Sequence, residues 1–409
     1  MDHFDLIVIG GGAAGFFAAI SCAELNPTAK VLILEKSSKV LSKVKISGGG
    51  RCNVTHSCFE PRELIKFYPR GSKQLLGPFH HWSPSETIQW FEARKVKLKT
   101  EADNRIFPIT DDSQTILDCL IHTARRSGVE VRTETEVLDV GKSQDDLFQL
   151  ALLGGNILTT SNLLIATGGV RNPSGAKMAA QFGHTIQPAA PSLFTFKIKD
   201  PQIHGLQGIS IPNAKVYIDK HLQSDGPLLI THWGLSGPAI LRLSAWGARQ
   251  LQTENYQFEV KVNWCSEITS EQAKEHFQKL RSESPKKTIL QDTQFSLPNR
   301  LWKQLAETSG ITSEDRWPRL SKDHAKSFIN NLTQCTFQVN GKSMNKEEFV
   351  TCGGITLKEV NFKTMESRVT PNLYFAGEVL DIDGITGGFN FQAAWTTGRI
   401  AGESVAGKR

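Results

Sequence analysis

Cysteine is scarce in this chain, with seven among 409 residues, at positions 22, 52, 58, 119, 265, 335 and 352. The count is odd and no C-x-x-C pair occurs, which excludes a zinc ribbon and a thioredoxin-type motif. Such scattered cysteines fit a reducing compartment. A chain of this length buries about three quarters of its unfolded surface, so it needs neither disulfide nor metal staples. No metal site is expected. Charged residues make up only 22% of the chain and apolar ones 39%, which excludes disorder over its whole length. Internal repeats and low-complexity tracts are absent. Long apolar runs are nearly absent too. Leu6–Ala23 is free of charge and approaches spanning length. Its centre is GGGAAG, however, and consecutive glycines are costly inside a helix. No basic segment precedes it and no small-residue cleavage site follows. A strand, turn and helix of a soluble cytoplasmic protein is expected there, with no membrane attachment.

The net charge of +6 is concentrated. Lys36, Lys39, Lys43, Lys45, Arg51, Arg62, Lys66, Arg70 and Lys73 face only Glu60 and Glu63 in the same window, nine less two, or +7. The rest of the chain therefore sums to about −1. Such a window is an electrostatic footprint for phosphate-bearing ligands, or else a solvated lysine-rich loop. At roughly 150 residues per domain, the length allows two to three domains.

Periodicity orders the chain. FDLIVIG is a short buried strand, FFAAISCAEL an apolar helix and VLILEK a second strand, the start of a parallel βαβ unit. Residues 38–82 read as irregular. Ser83-Pro84-Ser85-Glu86 is a capping box opening a helix to about Lys95, and Ser113 reads as the cap of another that Gly128 closes. VEVRTETEVLDV, LFQLALL and ILTT read as a β meander feeding a third buried strand, NLLIATGG. The middle changes character. Phe194, Phe196 and Ile198, then Tyr256, Phe258, Val260, Val262 and Trp264, then Phe337 and Val339 alternate with polar residues, the mark of half-exposed antiparallel strands. Between them lies a helical stretch. After Pro371 a buried strand, LYFAG, leads to a Gly-rich turn and a helix.

Gly10-Gly11-Gly12-Ala13-Ala14-Gly15 satisfies G-x-G-x-x-G between a strand and a helix. Its glycines make the tight turn, admit a pyrophosphate and let the helix pack closely, with the phosphates at the helix N-terminus. Glu35 follows Gly15 by 20 residues at a strand end, where a carboxylate binds ribose hydroxyls. That acid disfavours a 2′-phosphate, leaving FAD or NAD. Leu373-Tyr374-Phe375-Ala376-Gly377-Glu378 resembles the second FAD fingerprint of two-dinucleotide-domain flavoproteins, and Ile165-Ala166-Thr167-Gly168-Gly169 their A-T-G strand.

Further blocks extend the likeness. SGGGRCNVTH (Ser47 to His56), RIFP, ATGGVRNPSG, THWGLSGP, TCGGI, TMESR and GEVLDIDGITGGFNFQAA together resemble one flavoprotein family, over residues 5 to about 402. That family includes bacterial ribosomal-RNA dihydrouridine synthases, a bile-acid enone reductase and proteins named aminoacetone oxidases. The resemblance implies an α/β fold, with an FAD-binding Rossmann-like (two-dinucleotide-binding) domain, an inserted antiparallel β-barrel-like domain and a small helical domain. The expected boundaries are 1–190 with 353–409, 191–265 with 333–352, and 266–332. Where many members carry Gly-Arg before the lysine, this chain has Leu41-Ser42-Lys43. A phosphate contact from that arginine is then absent or supplied by Lys43 or Lys45.

The residues implied to line FAD are Gly10, Gly12, Ala13, Ala14, Gly15, Glu35, Lys36, Lys43, Ser47, Gly48, Gly49, Gly50, Arg51, Cys52, Asn53, Val137, Ala166, Thr167, Gly168, Gly377, Glu378, Asp383, Gly387, Gly388, Phe389, Asn390 and Gln392. The helix beginning at Phe389 would aim its N-terminus at the flavin's pyrimidine edge and stabilise charge there. Reducing an activated C=C also needs a proton donor. His232, of a residue type that titrates near neutrality, and Cys52 beside the glycine loop are the candidates. Cys52 and Cys58 are spaced too widely for the C-x4-C of disulfide reductases. Three functions remain open: reduction of a uridine C5=C6 bond in 23S ribosomal RNA, reduction or oxidation of a small molecule such as a steroid-type enone or an amine, and RNA binding without turnover. NAD(P)H is the expected electron donor, although no second dinucleotide fingerprint is visible. The +7 window favours RNA, with Lys66, Arg70 and Lys73 as its contacts and Phe59, Phe67, Tyr68, Phe79 and Trp82 as interleaved stacking aromatics.

Overall fold

The computed structural model describes residues 2–169, 174–343 and 350–407. Of the blocks above, ATGGVRNPSG therefore lies partly outside the described residues, from 170 to 173. The chain forms two compact units, Met1–Ala190 with Val350–Arg409, and Pro191–Phe349.

The first unit is built on a parallel sheet. Strand β1 (His3–Ile9) runs into helix α1 (Ala13–Leu25), which returns the chain to β2 (Val31–Leu34), fully buried as its run of Val, Leu and Ile requires. Beyond these come β3 (Glu130–Arg132), β4 (Ile157–Ile165) and β5 (Leu373–Phe375), in the order β5-β4-β1-β2-β3 with every pair parallel. VEVR is thus no part of a meander: it pairs with Leu32–Leu34 at the sheet edge. The hairpin Val137–Lys142 and Phe148–Leu152 adds to the first half of β4 as an antiparallel attachment. ILTT and NLLI are one strand. The last helix, α2 (Phe389–Ala406), packs on α1 through small residues. A Cβ on Gly398 would meet Ala14 O at 2.5 Å, and one on Gly402 would meet Ala18 O at 2.2 Å.

Two local expectations change. The stretch 38–82 contains a helix that starts at Ser42 and breaks at Ser47–Gly49, and helices at Pro61–Leu64 and Ser72–His81, hidden in sequence by glycine, serine and proline. Ser83 and Glu86 do form a reciprocal capping box, and that helix ends at Glu92. Ser113 does not cap by its side chain. Its hydroxyl donates to Lys45 O at 2.7 Å, while Asp112 accepts from Gln114 N at 2.8 Å.

The second unit holds a seven-stranded sheet whose described pairs are antiparallel. The alternation of Phe258, Val260 and Val262 buries one face of Gln257–Asn263 and leaves the other half-exposed. Among the described residues Cys335–Asn340 pairs with Gln257–Asn263 at one end of the path and Lys342–Ser343 with Thr195–Lys197 at the other, and Lys197 N donates to Gly341 O between them, so one stretch of chain forms both ends of the sheet. The helices Ser270–Glu283, Asn299–Thr308 and Lys322–Thr333 share one apolar core with this sheet, in which Phe277, Trp302, Trp317 and Phe328 join Val262 and Phe337. The indole N–H groups of Trp302 and Trp317 are satisfied by Ile289 O and Asp292 Oδ2. Residues 350–352 lie with the first unit.

Candidate active site

The glycine turn after β1 has the form of a phosphate cradle. Gly15 packs so closely that a Cβ there would meet Gly10 O at 2.1 Å, whereas a Cβ on Gly12 would meet nothing within 4 Å. The close glycine seats the helix and the open one faces free space. Helix α1 has no side-chain cap and no acid in its first turn, so its leading N–H groups could hold an anion. Glu35 stands beside the turn. Its carboxylate accepts from Gly11 N and Ser37 N, both at 2.9 Å, and from Ser37 Oγ at 2.8 Å. A carboxylate has about four acceptor positions, so capacity for a ribose hydroxyl remains. These features fit an adenine dinucleotide.

A second helix start lies at the other end of the chain. Helix α2 also lacks a side-chain cap and a first-turn acid, and its N-cap Gly388 has φ +90. A side chain is strained there, and a Cβ would also meet Thr55 O at 2.6 Å. Asn53 ties this turn to the glycine loop: its amide, assigned from its partners, accepts from Gly388 N at 2.9 Å and donates to Thr55 O at 3.0 Å. Within the loop, Gly48, Gly49 and Gly50 all have positive φ, and added Cβ atoms on Gly49 and Gly50 would meet nothing within 4 Å.

Other candidates bind the protein itself. Gln392 is buried, accepts from Thr55 Oγ1 at 2.6 Å and donates to Thr396 Oγ1 at 3.0 Å. Asn390 braces the preceding loop through both N and O of Gly384. Asp383, fully buried, forms an ion pair with Arg70, whose side chain is only 11% exposed. Arg70 is thus a structural partner and not a surface cation awaiting RNA. Arg51 meets Glu101 at 2.6 Å and Asp111 at 3.4 Å while its guanidinium lies 4.0 Å from the Phe107 centroid. Lys43 pairs with Glu378, and Lys66 with Glu63 at 2.7 Å. Much of the +7 window is therefore neutralised locally, in part by acids distant in sequence. Lys36 and Lys73 are exposed with no ion pair among the described residues. Val137 is a buried strand residue, and Ala166 is buried beside Thr167, whose hydroxyl is enclosed without a partner among the described residues.

The stacking aromatics are mostly core. Tyr68 and Phe79 are fully buried, Phe67 stacks on Phe389 at 4.4 Å, and Trp82 is half-buried; Phe59 alone of the five is exposed, at 49%. Tyr68 instead donates to Phe389 O at 2.6 Å and so holds the first residue of α2.

The two proton-donor candidates differ sharply. Cys52 is wholly buried at φ +60, and burial pushes its thiol up to about 12. A donor works best with a pKa near the working pH, and this one is far above it and closed to solvent. His232 is exposed on a turn of the second unit, at a cavity of about 700 Å³. Sequence reasoning overlooked His56, although SGGGRCNVTH contains it. Its ring stacks on Phe389 at 4.7 Å, its buried Nδ1 has no partner among the described residues, and burial lowers its pKa.

His184 shares that direction. It is buried between Glu359 (3.1 Å) and Ser367 (2.8 Å), and desolvation outweighs the pull of Glu359 to lower its pKa. A depressed histidine resists a proton that the unfolded chain takes up, so stability present above the ordinary value of 6.5 declines as pH falls below it. The melting temperature should thus hold near neutrality and drop from about pH 6.5 downward. His184→Gln combined with His56→Gln should flatten that first decline; an unchanged pH profile would remove both histidines from the explanation.

With the geometry described, comparison places the chain. The HI0933-like protein Rossmann domain model matches residues 4–404. The ribosomal RNA dihydrouridine synthase of Escherichia coli (strain K12) is 31% identical over 97% of this chain and 96% of that protein. The 3-dehydro-bile acid delta(4,6)-reductase of Clostridium scindens is 28% identical over 98% of each. Among solved structures, a 3-ketosteroid-delta4-(5alpha)-dehydrogenase from Rhodococcus jostii RHA1 shares the fold, with TM-score 0.54, 14% identity and coverage of 100% and 97%. No helix among the described residues is long and apolar enough to cross a membrane, and none of their side chains cluster as a metal site. A Rossmann-type FAD-domain fold and a match along nearly its whole length make this chain a flavoprotein oxidoreductase of the HI0933-like family.

Proposed function

We propose that this chain reduces a C=C bond with FAD as its resident cofactor and NAD(P)H as electron donor, and that the bond is uridine C5=C6 in 23S ribosomal RNA. The observation that carries this reading is identity of 31% and 30%, along nearly full length, to ribosomal RNA dihydrouridine synthases of Escherichia coli and Haemophilus influenzae. FAD, when bound, supplies the reducing equivalents. The turn at Gly10–Gly15 and the N-terminus of α1 would hold its pyrophosphate, and Glu35 would hold a ribose hydroxyl. Gly377 and Glu378 would line the remaining phosphate and ribityl side, with Lys43 paired to the Glu378 carboxylate. The uncapped start of α2 at Phe389 favours negative charge at its end.

His232 delivers the proton. Its side chain is exposed at an open cavity, whereas Cys52 is enclosed. His232→Asn should slow substrate reduction ~10²–10⁴-fold with FAD content intact. Cys52→Ala should stay within a few-fold of wild type. A normal rate in His232→Asn with a collapsed rate in Cys52→Ala would reverse the assignment. The RNA substrate is tested by supplying purified protein with NADPH or NADH and 23S ribosomal RNA lacking dihydrouridine. Formation of dihydrouridine supports the reading. Its absence, with turnover of a steroid enone in the same assay, favours the small-molecule reading that the bile-acid relative and the neutralised basic window support.

A further inference from the structure

The described tryptophans of the second unit fall into two groups. Trp264, Trp302 and Trp317 are buried in its core, but Trp246 is 49% exposed at a helix end and Trp233 is 61% exposed at the tip of a turn. That turn is tightly built. Thr231 and Gly234 pair across the hairpin, so His232 and Trp233 alone form its loop. Thr231 Oγ1 accepts from Trp233 N at 3.2 Å and donates to Gly234 O at 3.0 Å. Trp233 O accepts from Ile198 N at 2.9 Å, anchoring the turn to the neighbouring chain segment. Lys197 Nζ lies 5.6 Å from the indole centroid. The indole is therefore presented to solvent from a fixed base, with a cation at its side. An apolar ring held this way gains nothing from core burial, and a stacking partner would cover it.

The surroundings indicate what that partner carries. The cavity of about 700 Å³ beside the turn has a mixed lining, in which Ile198, Pro201 and Ile203 stand with Lys199, His204 and Gln207. Lys197 and Lys199 have no ion pair among the described residues. Asp200, the acid of the lining, accepts from Gln202 N at 2.8 Å. An indole face next to lysines, with amide side chains in reach, matches single-stranded nucleic acid, in which bases stack and phosphates take the cations.

We propose that the Trp233 turn and its cavity are a docking site for a single-stranded RNA segment, one base stacking on the indole and neighbouring phosphates meeting Lys197 and Lys199. This deepens, and rests on, the reading of RNA as substrate. The probe is a fluorescently labelled twelve-nucleotide oligouridylate, titrated into FAD-loaded full-length protein over a salt series. Trp233→Ala should weaken binding about tenfold or more, with an unchanged salt slope and unchanged FAD content. Trp233→Phe should restore most of the affinity. Lys197→Gln with Lys199→Gln should lower the slope of log K against log salt by about 1.4, at roughly 0.7 per phosphate. Wild-type affinity in Trp233→Ala would overturn the site, as would displacement of the oligonucleotide by a steroid enone that itself requires Trp233. Dihydrouridine content of ribosomal RNA, measured separately, distinguishes failure of this site from failure of the substrate assignment: dihydrouridine made normally by Trp233→Ala overturns the site and leaves the function standing.

Discussion

Gly12→Val is expected to give a folded protein without FAD. The reasons are unusually separable at this residue. Gly12 has φ −92 and ψ −171, extended backbone open to any residue, and an added Cβ would meet nothing within 4 Å. The substitution is therefore tolerated by the chain itself. Its methyl groups would stand in the free space before the first turn of α1, where a bound pyrophosphate would approach the backbone. Affinity for FAD should fall at least tenfold, about 1.4 kcal/mol or more. The visible flavin absorbance of the purified protein should be largely lost, while its far-UV spectrum is retained. Gly15→Val makes the contrast, because its Cβ would collide with Gly10 O and disturb the fold itself. Wild-type flavin occupancy in folded Gly12→Val protein would show that this turn does not hold the dinucleotide.

Arg70→Ala should be the most destabilising exchange in the basic window. The Asp383 carboxylate has no exposure and the Arg70 guanidinium little, so neither is well screened by water. Their pairing joins the segment after Phe67 to the loop that leads into α2, and the two backbones also bridge there. Removing the cation withdraws the Arg70 counter-charge from a buried carboxylate, a loss of about 3–5 kcal/mol. The urea midpoint should fall accordingly. Arg70→Met with Asp383→Leu should cost much less, since an apolar pair leaves no buried charge. Equal stability of Arg70→Ala and wild type would mean that the ion pair contributes nothing to the fold.

The same pair shows where sequence reading stops. The βαβ start was legible because G-x-G-x-x-G, the apolar helix and Glu35 occur at a fixed spacing, and short-range geometry dictates that order. The strands around Phe258 and Phe337 were legible because alternation is local. The role of Arg70 was not, because its partner is 313 residues away and charge in a sequence does not reveal its counter-charge. Glu101 and Asp111 meet Arg51, and Glu378 meets Lys43, partners hidden for the same reason. VEVR misled because three residues at a sheet edge alternate as an antiparallel strand would, and only pairing with β2 makes it parallel. Tyr68 and Phe79 resembled stacking aromatics because burial, unlike composition, is a property of the fold. In the candidate site, the backbone cradles could be anticipated from glycines. The engagement of Gln392 with Thr55 and the stacking of His56 on Phe389 could not, since both join distant segments.

The central claim, FAD-dependent reduction of ribosomal RNA uridine, is tested most directly by nucleoside mass spectrometry of ribosomal RNA. Three cell lines are compared: one lacking this protein, one with it restored, and one restored with Gly12→Val. Dihydrouridine should be missing from the first, return in the second and stay missing from the third. An identical dihydrouridine content in all three would contradict the claim.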